Sequence, residues 1–179
     1  MSKTPQVVLD ASAIERIVRR IAVAIVERTA DCERLVLVGV RRGGVELAAR
    51  LQNEIARQGS KRPQLGTVDI AFYRDDAATA LPNPKIGPSE LTMQIDGAEV
   101  VLVDDVLQTG RTIRAAIDCL HDHGRPRRIW LSVLCDRGGR ELPIAPDFVG
   151  KVFELPRSAR IDVVLGTDGP DRVTVTEAP

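Results

Sequence analysis

The segment Val100-Val101-Leu102-Val103-Asp104-Asp105-Val106-Leu107-Gln108-Thr109-Gly110-Arg111-Thr112 concentrates the residue types that do chemistry. Its four leading apolar residues predict a core strand, and Asp104 and Asp105 emerge at the carboxyl end, where open α/β sheets bind ligands. Adjacent carboxylates at a strand end rarely occur without something to hold. Thr109-Gly110-Arg111-Thr112 then predicts a tight turn into a helix, with backbone amides, two hydroxyls and the positive end of the helix dipole facing one point. Such a point suits a phosphate. Carboxylates for ribose hydroxyls and a phosphate turn a few residues later together describe a 5-phosphoribosyl group. Arg111 either joins the phosphate or points outward. No Lys follows a glycine as a P-loop requires, and no G-x-G-x-x-G fingerprint is present. A plain helix cap would account for Asp105 or Thr109 but not for the whole run.

The elements that must position these groups are readable from apolar periodicity. Ser12-Ala13-Ile14-Glu15 predicts a capping box, followed by a helix with Ile14, Ile17, Val18, Ile21 and Ile25 on one stripe. Arg16, Arg19, Arg20, Glu27 and Arg28 fall mostly off that stripe and read as a solvated face. Leu35 to Val40 predicts a strand buried on both faces; Gly39-Val40-Arg41-Arg42 after it is either an anion-binding turn or a plain link to a helix over about Val45 to Gln58. Val68, Ile70 and Phe72 alternate with Asp69, Ala71 and Tyr73 as a third strand would. Asp75 to Glu90 has no period and reads as a long loop, either a lid or disorder. Leu91 to Ile95 and the Asp96-Gly97 turn lead into a strand from Glu99 to Val103. A helix with Ile113, Ala116, Ile117 and Leu120 inward stops at Gly124 and Pro126, and Ile129 to Cys135 is another buried strand. Short strands near Phe148 to Phe153, Ile161 to Leu165 and Arg172 to Thr176 predict a small appended subdomain. The alternation predicts an α/β fold with a mainly parallel sheet, in one domain spanning 1–179.

Composition sets limits on partners. At 179 residues a single core suffices, and 25 Lys plus Arg balance 25 Asp plus Glu, so no global field marks nucleic acid or membrane as the main partner. Any nucleic-acid surface must be a local patch. Cys32, Cys119 and Cys135 are scattered, without zinc spacing, and read as reduced thiols. The absence of a basic-then-apolar leader and of a long apolar run predicts a soluble, cytoplasmic protein. His121 and His123 close a helix and are assigned no catalysis.

Val100 to Thr112 resembles the signature by which type I phosphoribosyltransferases bind 5-phosphoribosyl 1-diphosphate (PRPP). Nearly the whole chain is similar to the PyrR family of pyrimidine-operon regulators and uracil phosphoribosyltransferases. Leu37-Val38-Gly39-Val40-Arg41-Arg42-Gly43, Asp69-Ile70-Ala71-Phe72-Tyr73-Arg74-Asp75-Asp76, Cys135-Asp136-Arg137-Gly138-Gly139-Arg140-Glu141-Leu142-Pro143-Ile144 and Asp147-Phe148-Val149-Gly150-Lys151 carry the rest of the resemblance. It implies a type I phosphoribosyltransferase fold: a mainly parallel sheet flanked by helices, a hood largely from 137–179 and a flexible loop over about 74–90. Asp104 and Asp105 would hold the ribose hydroxyls, with magnesium nearby, and Asp105 would take the proton of the incoming nitrogen. PRPP would further meet Val40, Arg41, Arg42, Leu107, Gln108, Thr109, Gly110, Arg111 and Thr112, while Arg74 would bring a cation over the diphosphate and exclude water. Phe148, Val149, Asp136 and Arg137 would surround the base.

The resemblance also implies uracil, PRPP, uridine monophosphate (UMP) and pyrophosphate as ligands and a homo-oligomer, dimer or tetramer, with no membrane partner. It further implies UMP-responsive binding of pyrimidine-operon leader RNA through Arg16, Arg19, Arg20, Arg28, Arg137 and Arg140. Gln108 stands where the family usually has tyrosine, Gly139 where it has histidine, and Val23 where relatives often carry histidine. A hypoxanthine or guanine phosphoribosyltransferase without RNA regulation is the alternative expectation.

Overall fold

The computed structural model describes residues 4–30, 34–41, 43–70, 91–166 and 169–177. Along the chain the elements are β1 (Gln6–Asp10), α1 (Ala11–Arg28), β2 (Leu35–Val40), α2 (Gly43–Arg57), β3 (Gln64–Val68), β4 (Glu99–Leu107), α3 (Arg111–Asp122), β5 (Arg128–Asp136), β6 (Phe148–Val152), β7 (Arg160–Val164) and β8 (Arg172–Thr176). Continuous apolar runs make β2 and β4 the central strands of a parallel sheet ordered β3-β2-β4-β5-β6. Both faces of that sheet are covered, which is why its strands do not alternate in polarity. On one face, Ile14, Ile21 and Ile25 of α1 and Leu47, Leu51 and Ile55 of α2 pack with Val101 and Val103. On the other, Ile113, Ala116 and Leu120 of α3 pack with Val36, Val38, Val100 and Leu102. Each fully buried Leu or Ile there contributes about 1.5–3 kcal/mol.

A second, antiparallel sheet is ordered β1-β8-β7. Leu9, Ile161, Val173 and Val175 from it join the α1 and α2 core, so the small sheet is continuous with the main body. The hood thus includes β1 as well as residues after 137. Apolar content in β1 is short, and the sequence pattern left it unmarked.

Four local expectations are corrected. The N-cap of α1 is Asp10, whose Oδ1 accepts from the Ala13 amide at 2.8 Å and from the Ser12 hydroxyl, so Ser12 lies inside the first turn. The third strand lies at Gln64–Val68, earlier than the alternation from Val68 suggested, and Phe72 and Tyr73 lie outside the described residues. Leu155-side sequence after β6 leads to the small sheet, but β6 itself pairs parallel to β5 in the main sheet. Finally, β4 runs on through the acidic pair to Leu107.

Candidate active site

Strand register opens the site. β2 pairs with β4 only as far as Gly39 opposite Val103, whereas β4 continues against β5 to Leu107 opposite Asp136. Asp104 and Asp105 therefore sit where β4 has lost one neighbour, beside the start of α2. The approach there needs glycine: a Cβ on Gly43 would lie 2.0 Å from Asp105 Oδ2, and one on Gly44 would lie 2.1 Å from the Val103 carbonyl oxygen. The amino end of α2, the positive end of its dipole, is thus brought against the Asp105 carboxylate. Asp104 is only 5% exposed, and its Oδ1 accepts from the Asp105 amide at 2.9 Å. Asp105 Oδ1 in turn accepts from the Val106 amide at 2.8 Å. Burial first, and the neighbouring Asp105 charge second, push the Asp104 carboxyl well above its ordinary range.

Past the acids, Gly110 adopts φ 92° at the N-cap of α3 and supplies no side-chain cap. Backbone amides at that helix end therefore keep capacity for an anion. Thr109 Oγ1 accepts from the Arg111 amide at 3.3 Å, and the Arg111 side chain is drawn outward to Glu141, Nε to Oε2 2.8 Å. Val106 to Gly110, Thr112, Ile113, Arg137 and Ala159 to Ile161 line a cleft of about 400 Å³.

The segment after β5 is bolted to this turn. The amides of Glu141 and Leu142 both donate to the Thr109 carbonyl, and Arg140 donates to the Gln108 carbonyl at 2.9 Å, the Ile144 carbonyl at 2.8 Å and Asp136 Oδ2 at 2.6 Å. Arg137 is 8% exposed; one Nη donates to the Pro156 carbonyl at 3.2 Å, and its buried Nε has no hydrogen-bond partner among the described residues. A buried donor left in a cleft wall suits an acceptor on a ligand.

Several expected residues are brought together here: Asp104, Asp105, Leu107, Gln108, Thr109, Gly110, Thr112, Asp136 and Arg137 all lie at this edge. Val40 is fully buried in the core beneath it, so only its backbone could serve, and the Arg41 amide donates to the Val68 carbonyl at 3.0 Å. Arg42 and Arg74 lie outside the described residues, as does the expected 74–90 loop. Phe148 and Val149 do not line the cleft. Phe148 packs on Trp130 in the core, ring centroids 6.1 Å apart, although the sheet register sets it level with Val103, just before the acids, and sets Val149 level with Asp104. Val149 packs in the opposite core. Ala159, Arg160 and Ile161 take their place on the cleft wall; the break at Leu155-Pro156 just before a strand was the available signal for them.

The six arginines expected on one RNA face divide. Arg16 donates to the Ser12 hydroxyl and Arg19 pairs with Glu15 on the outer side of α1. Arg20 instead holds the Val149 and Gly150 carbonyls on the free side of β6, and Arg28 lies 5.1 Å from the Trp130 ring centroid. Arg137 and Arg140 belong to the cleft and its support.

Among the described residues no group of three or more His, Cys, Asp or Glu side chains gathers to hold a metal. The Asp104 and Asp105 pair fits magnesium of the kind held by one or two carboxylates and completed by substrate phosphates.

The geometry agrees with comparisons to known proteins. The model of the phosphoribosyl transferase domain family matches residues 6–160. The bifunctional protein PyrR of Thermoanaerobacter sp. (strain X514) is 46% identical over 171 residues, covering 95% of this chain and 96% of that protein. That of Chloroflexus aurantiacus is 48% identical over 169 residues, covering 94% and 93%. Among solved structures, the hypoxanthine phosphoribosyltransferase of Trypanosoma cruzi superposes with a TM-score of 0.72 at 18% identity over 95% of each chain. A Staphylococcus aureus hypoxanthine phosphoribosyltransferase gives 0.64 at 19% identity, covering 85% of this chain and 78% of that one. At such identities these two speak for the fold. The chain belongs to the phosphoribosyl transferase domain family and, within it, to the PyrR proteins.

Proposed function

We propose that this protein joins uracil to the ribose of PRPP, forming UMP and releasing pyrophosphate, and that it also binds RNA as a UMP-responsive regulator of pyrimidine genes. The observation that carries the enzymatic reading is the Asp104 and Asp105 pair near the end of β4, followed a few residues on by the uncapped Gly110 turn that lines the cleft. Backbone amides opening α3, with the hydroxyls of Thr109 and Thr112, bind the 5-phosphate. Asp104 and Asp105 accept from the ribose hydroxyls and stabilise the positive charge that develops at the anomeric carbon as the diphosphate departs. They would also hold the magnesium that accompanies PRPP, which supplies charge neutralisation for the leaving diphosphate. Asp105 accepts the proton of the attacking nitrogen. Arg41, with Arg42 and Arg74, meets the diphosphate.

Arg137 donates to a carbonyl oxygen of the base, and backbone groups of Ala159 to Ile161 flank its edge. The pyrimidine is favoured over a purine because the relatives near half identity are PyrR proteins, whereas the hypoxanthine enzymes resemble this chain only in fold. No helix among the described residues is long and apolar enough to cross a membrane, and we place the protein in the cytoplasm as a homo-oligomer. Arg137→Gln tests the base assignment. It should raise KM for uracil by roughly 10-fold or more, the value of a charge-assisted hydrogen bond, with KM for PRPP little changed. An unchanged KM for uracil would remove Arg137 from base recognition.

A further inference from the structure

The register of the parallel sheet places a row of cations along the edge opposite the active site. Leu35, Glu99 and Arg128 lie at one level on β2, β4 and β5, and Gln64 of β3 pairs one step further along with Val36. The residues just before those strands, Lys61 and Arg62, Arg34, and Arg125, therefore stand side by side with Arg128, all exposed. Three strand spacings make this row about 14 Å long. Arg28 at the end of α1 reaches the same edge, since it and Arg128 lie 5.1 and 4.8 Å from the centroid of the Trp130 ring.

What holds these cations matters more than their number. Arg34 donates to the carbonyls of Asp96 and Gln94, and Arg62 to the amide oxygens of Gln52 and Asn53. Arg28 and Arg128 rest on an indole face. The partners of Arg34 and Arg62 and the ring beneath Arg28 are neutral and leave those charges in place, whereas Arg128 also feels the Glu99 carboxylate. Three acids lie near this edge: Asp96 accepts the Arg125 amide, Asp147 accepts the Leu131 amide, and Glu99 takes Arg127 and the Trp130 indole N–H. Between Arg34, Lys61 and Arg62 lies a cleft of about 390 Å³.

We infer that this edge is a phosphate-binding track for the RNA backbone, extending the RNA surface from Arg28 away from α1. The inference rests on the RNA-binding reading proposed above. Exposed guanidinium groups in a row, several of them held by neutral partners, fit a chain of regularly spaced phosphates, and a polyanion of that length explains a row better than a single small anion does. Trp130 is nearly buried, so the track supplies affinity through the backbone and not base readout.

The test measures binding of a fluorescein-labelled, uridine-rich single-stranded RNA by anisotropy across a salt series, for wild type, Arg125→Gln with Arg128→Gln, and Arg125→Lys with Arg128→Lys. Uracil transfer and circular dichroism, expected unchanged in both variants, confirm that each is folded. The Gln pair should lose roughly 10-fold in affinity at low salt and flatten the slope of log affinity against log salt by roughly 1.4, while the Lys pair keeps the wild-type slope. If wild type and the Gln pair bind RNA alike, the track is overturned and the regulatory reading survives on α1. If the wild type shows no salt-sensitive RNA binding at all, both fall.

Discussion

Burial and the Asp105 charge hold the Asp104 carboxyl above its ordinary range, so the folded state binds its proton more readily than the unfolded chain does. A group raised in this way favours the folded state while protonated and costs stability once pH rises above the unfolded value. Asp104→Asn should therefore raise the melting temperature at about pH 7, and the gain should shrink as pH falls toward about 4, below which it is absent; calorimetry across that range checks it. The same variant combined with Asp105→Asn should lower transfer by about 10²-fold or more with the fold intact, and near-normal turnover would contradict the assigned role. Cys135 gives a third expectation. Burial and then the Asp105 charge push its thiol up to about 12, so the folded protein should resist alkylation there at about pH 8 while the denatured protein reacts, as mass spectrometry of iodoacetamide adducts would show. Asp104, Asp105 and Thr109 were legible in sequence because their chemistry is local: acids and turn are neighbours on the chain. Phe148 packs in the core here, because an apolar residue opening a strand serves the core as readily as a ligand. Ala159 to Ile161 were hidden because their place is set by a long-range approach, Arg137 reaching the Pro156 carbonyl.

Among elements, the α2 entry is the most constrained. Gly43→Ala would drive a Cβ to 2.0 Å from the Asp105 carboxylate, so either the acid or the helix start must move. Transfer should fall by about 10-fold or more while calorimetric stability changes less, and an unaltered kcat/KM would contradict the close approach. The 165–172 turn is tied to α2 by Arg50, which pairs with Asp171 and, at 2.9 Å, with Glu46. The Arg50 hydrogen bond, working against a smaller burial effect, holds the Asp171 carboxyl below its ordinary range. A depressed carboxylate contributes stability above its unfolded value and loses it as pH falls through the lower folded value. Asp171→Asn should cost about 1–3 kcal/mol in urea unfolding at about pH 7, and much less at about pH 3. Strands β2, β4 and β5 were legible from continuous apolar runs, and the α3 stop from Gly124. The α1 cap was read two residues too late because Ser12 and Glu15 form the capping pattern, while the Asp10 carboxylate accepts the Ala13 amide. Strand β3 was displaced because Gln64 and Gly66 break the apolar pattern on an edge strand, and alternation at Val68 to Tyr73 outweighed them.

Across the whole molecule, one parallel sheet separates two chemistries by its two edges: carboxylates and a phosphate turn at the carboxyl ends, guanidinium groups at the amino ends. The overall balance of 25 basic and 25 acidic residues conceals that division, since composition carries no information about edges. The α/β class was legible from alternation of elements, but the hood's use of β1 was not, because pairing of Gln6 with Val175 joins the two ends of the chain. The central claim is transfer of a phosphoribosyl group to a pyrimidine, and its most direct test is to incubate the protein with PRPP, magnesium and each nucleobase in turn. The account predicts UMP and pyrophosphate in equal amounts from uracil, with little product from hypoxanthine or guanine. Inosine or guanosine monophosphate as the main product, or no monophosphate from any base, would contradict it.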